Sequence, residues 1–503
     1  MQALAIILAV LLLLSLITFV YYLMKGGNLI IGLTIISVAW FLFGTIWSVT
    51  DLVHAWDPAV HGGVSGPGFF DVWANIVGNL NTVFSDGPIG YGTTTAIIIF
   101  ASWFGRVVVD TGIAKALIRK VVELSGSRQL VTVCLVSVVS ALIFTSIFGP
   151  GSVMAIGAII LPILLSIGVS KKIAVGSFMF SVAAGMYVNT GYSSQFSGNG
   201  LFSAIWDLPG FISDFTIWTW LSFLIHVAIM LGYILFNFHF AKDKVKAWAM
   251  TSAEASDDYE VDENGESPEK PVSNWTFIVP FIPIIFGLVI TIPNLFLPEN
   301  DTTNNVYHRF VEFAPIFLFI VGIFFGLLLT GNLKSYKKAV AMTQKTLFNG
   351  FSDVALLIGM LLMMNCFSTA ANKLAAPIFQ QALNGGLDWI NDYPWIILII
   401  FIALAPGALF RGPFMVWGSG IAVASVLGPI IASNASGLTP LLLVLFYVQP
   451  VAITAQCCPT QSWGMWALSY SKLEPNVYIK TNIVWGWVTC GIVMALGYLL
   501  LML

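Results

Sequence analysis

The sequence predicts an all-α integral membrane protein. About 12–14 hydrophobic segments form two inverted repeats, each with a broken or re-entrant hairpin. Three observations carry this expectation. Of 503 residues, 58% are hydrophobic and only 9% are charged, against about 25% charged in soluble domains. Apolar runs long enough for a helix to cross a bilayer recur along the chain, without the alternation of a β-barrel. When each run is threaded once through a membrane, 18 of the 21 Lys and Arg residues fall on one side, all but Arg309, Lys373 and Arg411. That bias marks the cytoplasmic face.

The runs lie near 3–23, 28–50, 88–105, 129–148, 151–170, 173–190 and 214–238, then 275–296, 310–331, 348–370, 393–410, 413–435, 439–457 and 481–502. The first has no basic start and no small-residue cleavage site before Lys25, so it reads as a retained span rather than a signal peptide. Both termini then lie outside. Residues 106–128 and 371–390 are amphipathic and read as helices lying along the membrane surface. Residues 241–273 are the one clear linker. They hold an acidic cluster from Glu254 to Glu269 and almost no apolar periodicity, so they are expected to be disordered. The linker divides the chain into a first repeat at 1–240 and a second at 274–503. An odd number of crossings in each unit gives the two opposite orientations in the membrane.

Each unit contains a Gly/Pro break followed by a polar patch. The first break is Ile147-Phe148-Gly149-Pro150-Gly151-Ser152 and the second is Phe410-Arg411-Gly412-Pro413-Phe414. The first patch is Asn189-Thr190-Gly191-Tyr192-Ser193-Ser194-Gln195, and the second runs from Thr454 through Gln456 to Thr460 and Gln461. Paired interruptions at corresponding places are the sequence mark of a secondary-transporter binding site. A half-helix starting at Pro150 or Pro413 presents unpaired N–H groups and partial positive charge to an anion. Expected substrate-binding residues are therefore Gly149, Pro150, Gly151, Ser152, Asn189, Thr190, Ser193, Ser194, Gln195, Arg411, Gly412, Pro413, Thr454, Gln456, Thr460 and Gln461. Arg411 is the sharpest of them. An ionisable residue between apolar runs is expensive and functional by default, and its planar fork matches a carboxylate. Acids are scarce in the runs; Asp353 and Asp86 are the best-placed candidates to couple an ion. Asp110 reads as a partner of Arg106 or Lys115. The five cysteines have no metal or disulfide spacing. No catalytic residue, metal or cofactor is expected.

The stretch Phe104-Gly105-Arg106-Val107-Val108-Val109-Asp110-Thr111-Gly112-Ile113-Ala114-Lys115-Ala116-Leu117, ending at Leu124-Ser125-Gly126, resembles the gluconate permease and citrate/C4-dicarboxylate carriers of the ion transporter superfamily. The resemblance implies inverted repeats, paired re-entrant hairpins and proton- or sodium-coupled uptake of small carboxylates. The Ser-Asn-Thr signature of sodium carboxylate hairpins is absent, Asn189-Thr190 being only part of it. The expected function is a proton-coupled secondary transporter importing a small organic anion, a carboxylate or sugar acid. The alternative is a cation/proton antiporter of the same superfamily, which calls for two or more membrane carboxylates. An integral membrane enzyme calls for clustered Asp or His at the interface. Expected partners are the anion, a proton or sodium ion, the bilayer of the cell membrane and a second copy in a homodimer, with no nucleic acid.

Overall fold

The computed structural model describes residues 1–25, 27–61, 64–125, 128–197, 210–240, 274–283, 302–383, 392–412 and 439–502, with 202, 205, 206, 285, 286, 289, 414, 415 and 424. The described residues are helical throughout their regular structure. Helices α1 (Gln2–Met24) and α2 (Leu29–His54) pack on each other. The side chain of Asn28 starts α2 by accepting the N–H groups of Ile30 and Ile31 at 2.9 and 3.2 Å, two of the orphan donors of a first turn. Along α1, Ala5, Leu8, Leu12 and Phe19 are buried, while Ile6, Val10, Leu13 and Ile17 are exposed. An exposed apolar stripe at helical spacing is the face that a helix turns to lipid.

Helix α3 (Phe69–Asn81) runs through a π-helical turn at Thr82–Asp86 into α4 (Gly92–Asp110). The amphipathic helix α5 (Ile113–Ser125) follows. Residues 106–110 therefore complete a long apolar helix and do not open the surface helix expected there. Next come α6 (Gln129–Phe144), α7 (Pro150–Ser166), α8 (Lys171–Met186), α9 (Thr190–Ser197) and α10 (Phe211–Phe240). In the second half are a 3-10 turn at Asn274–Phe281, α11 (Thr302–Leu329), α12 (Tyr336–Thr369) and α13 (Ala376–Leu383). A π-helical turn, Ala370–Ala375, joins α12 to α13. Residues 371–383 thus extend the span, again against the expectation of a separate surface helix. Pro88 and Pro377 each follow one of these widened turns. A proline ring crowds the carbonyl four residues back, and widening the turn relieves it. The chain ends with α14 (Pro394–Leu404), α15 (Thr439–Gln449), α16 (Ser462–Ser471) and α17 (Pro475–Leu501).

Among the described residues, six helical stretches are long and apolar enough to cross a membrane: Gln2–Leu23, Leu29–His54, Phe69–Asp110, Phe211–His239, Tyr336–Leu383 and Pro475–Leu501. The pair α8 and α9 is apolar enough as well but bends by 57°. Shorter apolar helices among the described residues include Gln129–Phe144 and Pro150–Ser166, on either side of the first break, and Pro394–Phe410, which leads into the second. The linker and the segment 413–435 fall outside the described residues, apart from Phe414, Met415 and Ala424.

Gly149 has φ 115° and ψ 144°, a conformation open essentially to glycine alone. Gly149→Ala is expected to cost about 1–3 kcal/mol. A thermal-unfolding midpoint in detergent, lowered relative to the parent, would read it out.

Candidate functional site

The first break separates α6 from α7. After Phe144 the chain leaves the helix, turns at Gly149 and re-enters with Pro150 at the first position, where proline loses nothing and its φ is already helical. A second bend, Tyr187-Val188-Asn189, separates α8 from α9. Asn189 joins the two. Its buried Nδ2 donates to the carbonyls of Phe144 at 2.8 Å and Ile147 at 3.0 Å. Its Oδ1 accepts from the N–H groups of Gly191 at 2.9 Å and Tyr192 at 3.3 Å. One amide thereby satisfies the end of α6 and the start of α9.

The second half repeats this logic with other groups. Below α14, a 3-10 turn at Ala405–Arg411 breaks at Leu409, with ψ 154°, and at Phe410, with φ 55°. The Phe410 N–H donates to Cys458 Sγ at 3.2 Å, and Thr454 Oγ1 donates to the Ala408 carbonyl at 3.2 Å. Thr454 lies in a π-helical turn, Pro450–Ala455, that follows α15. Arg411 closes the 3-10 turn and Gly412, buried, follows it. The side chain of Arg411 and residue Pro413 fall outside the described residues.

Two cavities flank the first break. The larger, about 290 Å³, is walled by Phe144, Ile147, Gly149 and Pro150 of the break, by Val182 and Met186 of α8, and by Gln195 of α9. The start of α2, Asp353 and Met360 of α12, and Gln461, Ser462 and Trp463 at the start of α16 complete it. Its size stands at the lower end of the ~300–1,000 Å³ usual for small-molecule sites. The Oε1 of Gln195 is buried and has no partner, while its Nε2 donates to the Gly191 carbonyl at 2.9 Å. The smaller cavity, about 180 Å³, lies against Thr145, Ser146, Tyr187, Thr190, Ser193, Thr216 and Thr219. The break is the wall between them.

The charged part of the larger cavity is Asp353. Arg106 holds it bidentately, Nε to Oδ2 and Nη2 to Oδ1, both 2.6 Å. Arg106 also lies 3.7 Å from Asp110, whose other oxygen accepts from Asn349 Nδ2 at 2.9 Å. The expected Arg106–Asp110 pair is present, then, but the partner 247 positions away is the closer one. The carboxylate of Asp353 sits at the first turn of α7. A Cβ on Gly151 would overlap it, so glycine is what lets the carboxylate approach the helix start. Ser152, on the same turn, is fully buried with an unbonded Oγ.

The remaining expected residues divide. Thr190 and Ser193 line the smaller cavity. Ser194 Oγ donates within its own helix at 3.4 Å, and its carbonyl accepts from Thr94 Oγ1 at 2.8 Å. Thr460 lies 3.0 Å from Cys458 Sγ, and neither cavity reaches it. Gln456 pairs with His226 Nε2 at 2.6 Å. Asp86 is exposed and accepts from Asn81 at 3.2 Å, away from both cavities. Two neighbours of expected site residues carry no local sequence signal: Arg106, which holds Asp353, and His226, a single imidazole in an apolar run beside Gln456. Two tyrosines tie the halves. Tyr192 OH donates to the Tyr447 carbonyl at 2.6 Å, and Tyr447 OH to the Tyr187 carbonyl at 2.8 Å.

Residues 90–503 match the family described as C4-dicarboxylate anaerobic carrier, DcuC. No curated protein sequence matches. Two solved structures are similar over nearly their whole lengths. The YdaH transporter of Alcanivorax borkumensis, described as having an unusual topology, is 15% identical with a TM-score of 0.59, covering 93% of this chain and 98% of that one. MtrF of Neisseria gonorrhoeae, described among antimetabolite efflux pumps, is 11% identical with a TM-score of 0.60, covering 92% and 94%. At these identities the likeness establishes a shared fold.

Removing one partner of a largely buried ion pair strands the other. Asp353→Ala is expected to destabilise by about 3–5 kcal/mol. The double variant with Arg106→Ala should recover part of that loss, giving a coupling energy of about 1–3 kcal/mol in a double-mutant cycle of unfolding.

Proposed function

The chain belongs to the C4-dicarboxylate anaerobic carrier family, and we propose that it imports a small organic anion, a carboxylate or sugar acid, driven by protons. Membership makes it a multi-pass membrane transporter of the cell membrane rather than an enzyme. The observation that carries the proposal is the larger cavity, where the first turn of α7, the free acceptor of Gln195, Gln461, Ser462 and the Arg106–Asp353 pair converge. The α7 start favours negative charge. Gln461 and Ser462 offer further hydrogen bonds to a solute, as neutral polar groups do in apolar-lined pockets.

Asp353 holds the place a solute carboxylate would take. An anion entering beside an ionised Asp353 meets like charge, while Arg106 is already engaged. A proton on Asp353 removes that charge and frees the guanidinium fork for the incoming carboxylate, to which it is geometrically matched. The solute would then bind with a proton, which is symport. Asp86, away from the cavities, has no such place. In this reading the two halves are inverted repeats whose breaks face one solute, and Arg411 adds charge from the second. The exchange of cations for protons finds less support, because Asp353 is the one carboxylate among the described residues on the cavity wall.

Reconstituted into proteoliposomes, the protein should take up labelled succinate, citrate, gluconate or lactate in counterflow, and accumulate it under an inward proton gradient. Absence of carboxylate uptake under both proton and sodium gradients would sink the reading. Asp353→Asn is expected to keep counterflow and lose the dependence on a proton gradient. Arg411→Ala should abolish uptake in a folded protein, and normal transport by that variant would remove Arg411 from the site.

A further inference from the structure

We propose that His226 is a second proton-binding site, whose occupancy is linked through Gln456 to the arrangement of the second polar patch. His226 lies in α10 with no exposed surface. It does not line the cavity that contains Asp353. The rings of Phe180 and Tyr187 stand 5.7 and 5.6 Å from its own.

The protonation pattern follows from the bonds. Gln456 Nε2 donates to the Ala452 carbonyl at 2.6 Å, which orients the amide and turns Oε1 to the imidazole. Oε1 can only accept, so the His226 Nε2, 2.6 Å away, carries the hydrogen. The lone pair then falls on Nδ1, which is buried and unbonded. The hydroxyl of Tyr187, at the bend of the first half, is also buried and unbonded. A buried donor and a buried acceptor without partners are rare in folded proteins. A second proton, on Nδ1, would create a charged donor that this arrangement leaves without an acceptor, unless the Tyr187 oxygen moves to take it. A buried charge without a partner is strongly disfavoured in a low-dielectric interior. Protonation therefore drives a rearrangement of the bend, of Gln456, or of both.

Gln456 is well placed to transmit it. Its own carbonyl accepts from Tyr478 OH at 2.5 Å and from Asn482 Nδ2 at 3.2 Å, both on α17. Other titratable groups in the region are Tyr187, Tyr233 on α10 itself, Tyr447 of α15, Cys457 beside Gln456, and Tyr478 and Cys490 of α17. The ion pairs among the described residues do not involve His226. Of these groups, histidine is the one whose charge ordinarily changes between about pH 5 and 8.

The test uses the full-length protein in nanodiscs. Thermal midpoints of the wild type and of His226→Gln, whose amide can still donate to Gln456, are compared from about pH 8 to pH 5. The wild type should lose stability relative to the variant as pH falls. Curves that stay parallel overturn the proposal, because they mean that folding leaves the proton affinity of this imidazole unchanged. Gln456→Glu sets a carboxylate against Nε2 and should reverse the slope, and an unchanged slope also overturns it. The role in transport rests on the carrier reading above. In proteoliposomes His226→Gln should retain counterflow and lose its acceleration by an inward proton gradient. Wild-type accumulation by that variant refutes the link to transport. A wild type without carboxylate counterflow refutes the carrier reading instead, while the melting curves still decide His226.

Discussion

A helix interrupted inside a membrane leaves carbonyls and N–H groups that lipid cannot satisfy, and the first half of this protein depends on one side chain to satisfy them. Asn189 takes the carbonyls of Phe144 and Ile147 and returns two bonds to the start of α9. Each backbone group left without a partner in such surroundings costs about 1–3 kcal/mol. The non-helical stretch that walls both cavities exists because this amide is there. The second half reaches the same end through Thr454 and the sulfur of Cys458, with a weaker acceptor and a widened helical turn. The solutions differ in chemistry while the problem is the same.

Charge is handled with similar economy. Arg106 makes ion pairs with both Asp110 and Asp353. That arginine reaches from α4 in the first half to Asp353 on α12 in the second. The same antiparallel contact between these helices is reinforced where Ser102 Oγ donates to the Gly350 carbonyl at 2.9 Å and Trp103 Nε1 to Thr346 Oγ1 at 3.0 Å. The site's electrostatics and the seam between the halves are therefore one structure. A proton or an anion that alters the pair acts directly on that seam.

Much of this architecture is legible in the sequence, for physical reasons that also mark where legibility stops. Long apolar runs give α1 and α10 to within a few residues of their ends, since lipid demands uninterrupted hydrophobicity. The Gly149-Pro150 start of α7 is readable because those residues suit a positive φ followed by a first helical turn. Helix α3 is missed because Asp71, Asn75 and Asn79 dilute its apolar pattern. The boundary near Arg106 is misplaced because a charge inside a span looks like a membrane surface until its partner is known, and Asp353 is remote in sequence. Neighbour rules along a helix favour Asp110, and folding adds the better ligand. His226 is silent for the same reason: a single polar residue in a run acquires meaning from Gln456 alone.

The wall between the two cavities has a consequence for how such a carrier changes the side it faces. Few residues, from Thr145 to Pro150, separate one space from the other. Asn189 fixes this stretch through the carbonyls of Phe144 and Ile147, and Ile147 is also packed into the core. A barrier of that kind is thin in space and tall in energy only while its bonds hold. If the carrier proposed above opens a passage here, a few torsions would have to change together, and single side chains would then set the barrier.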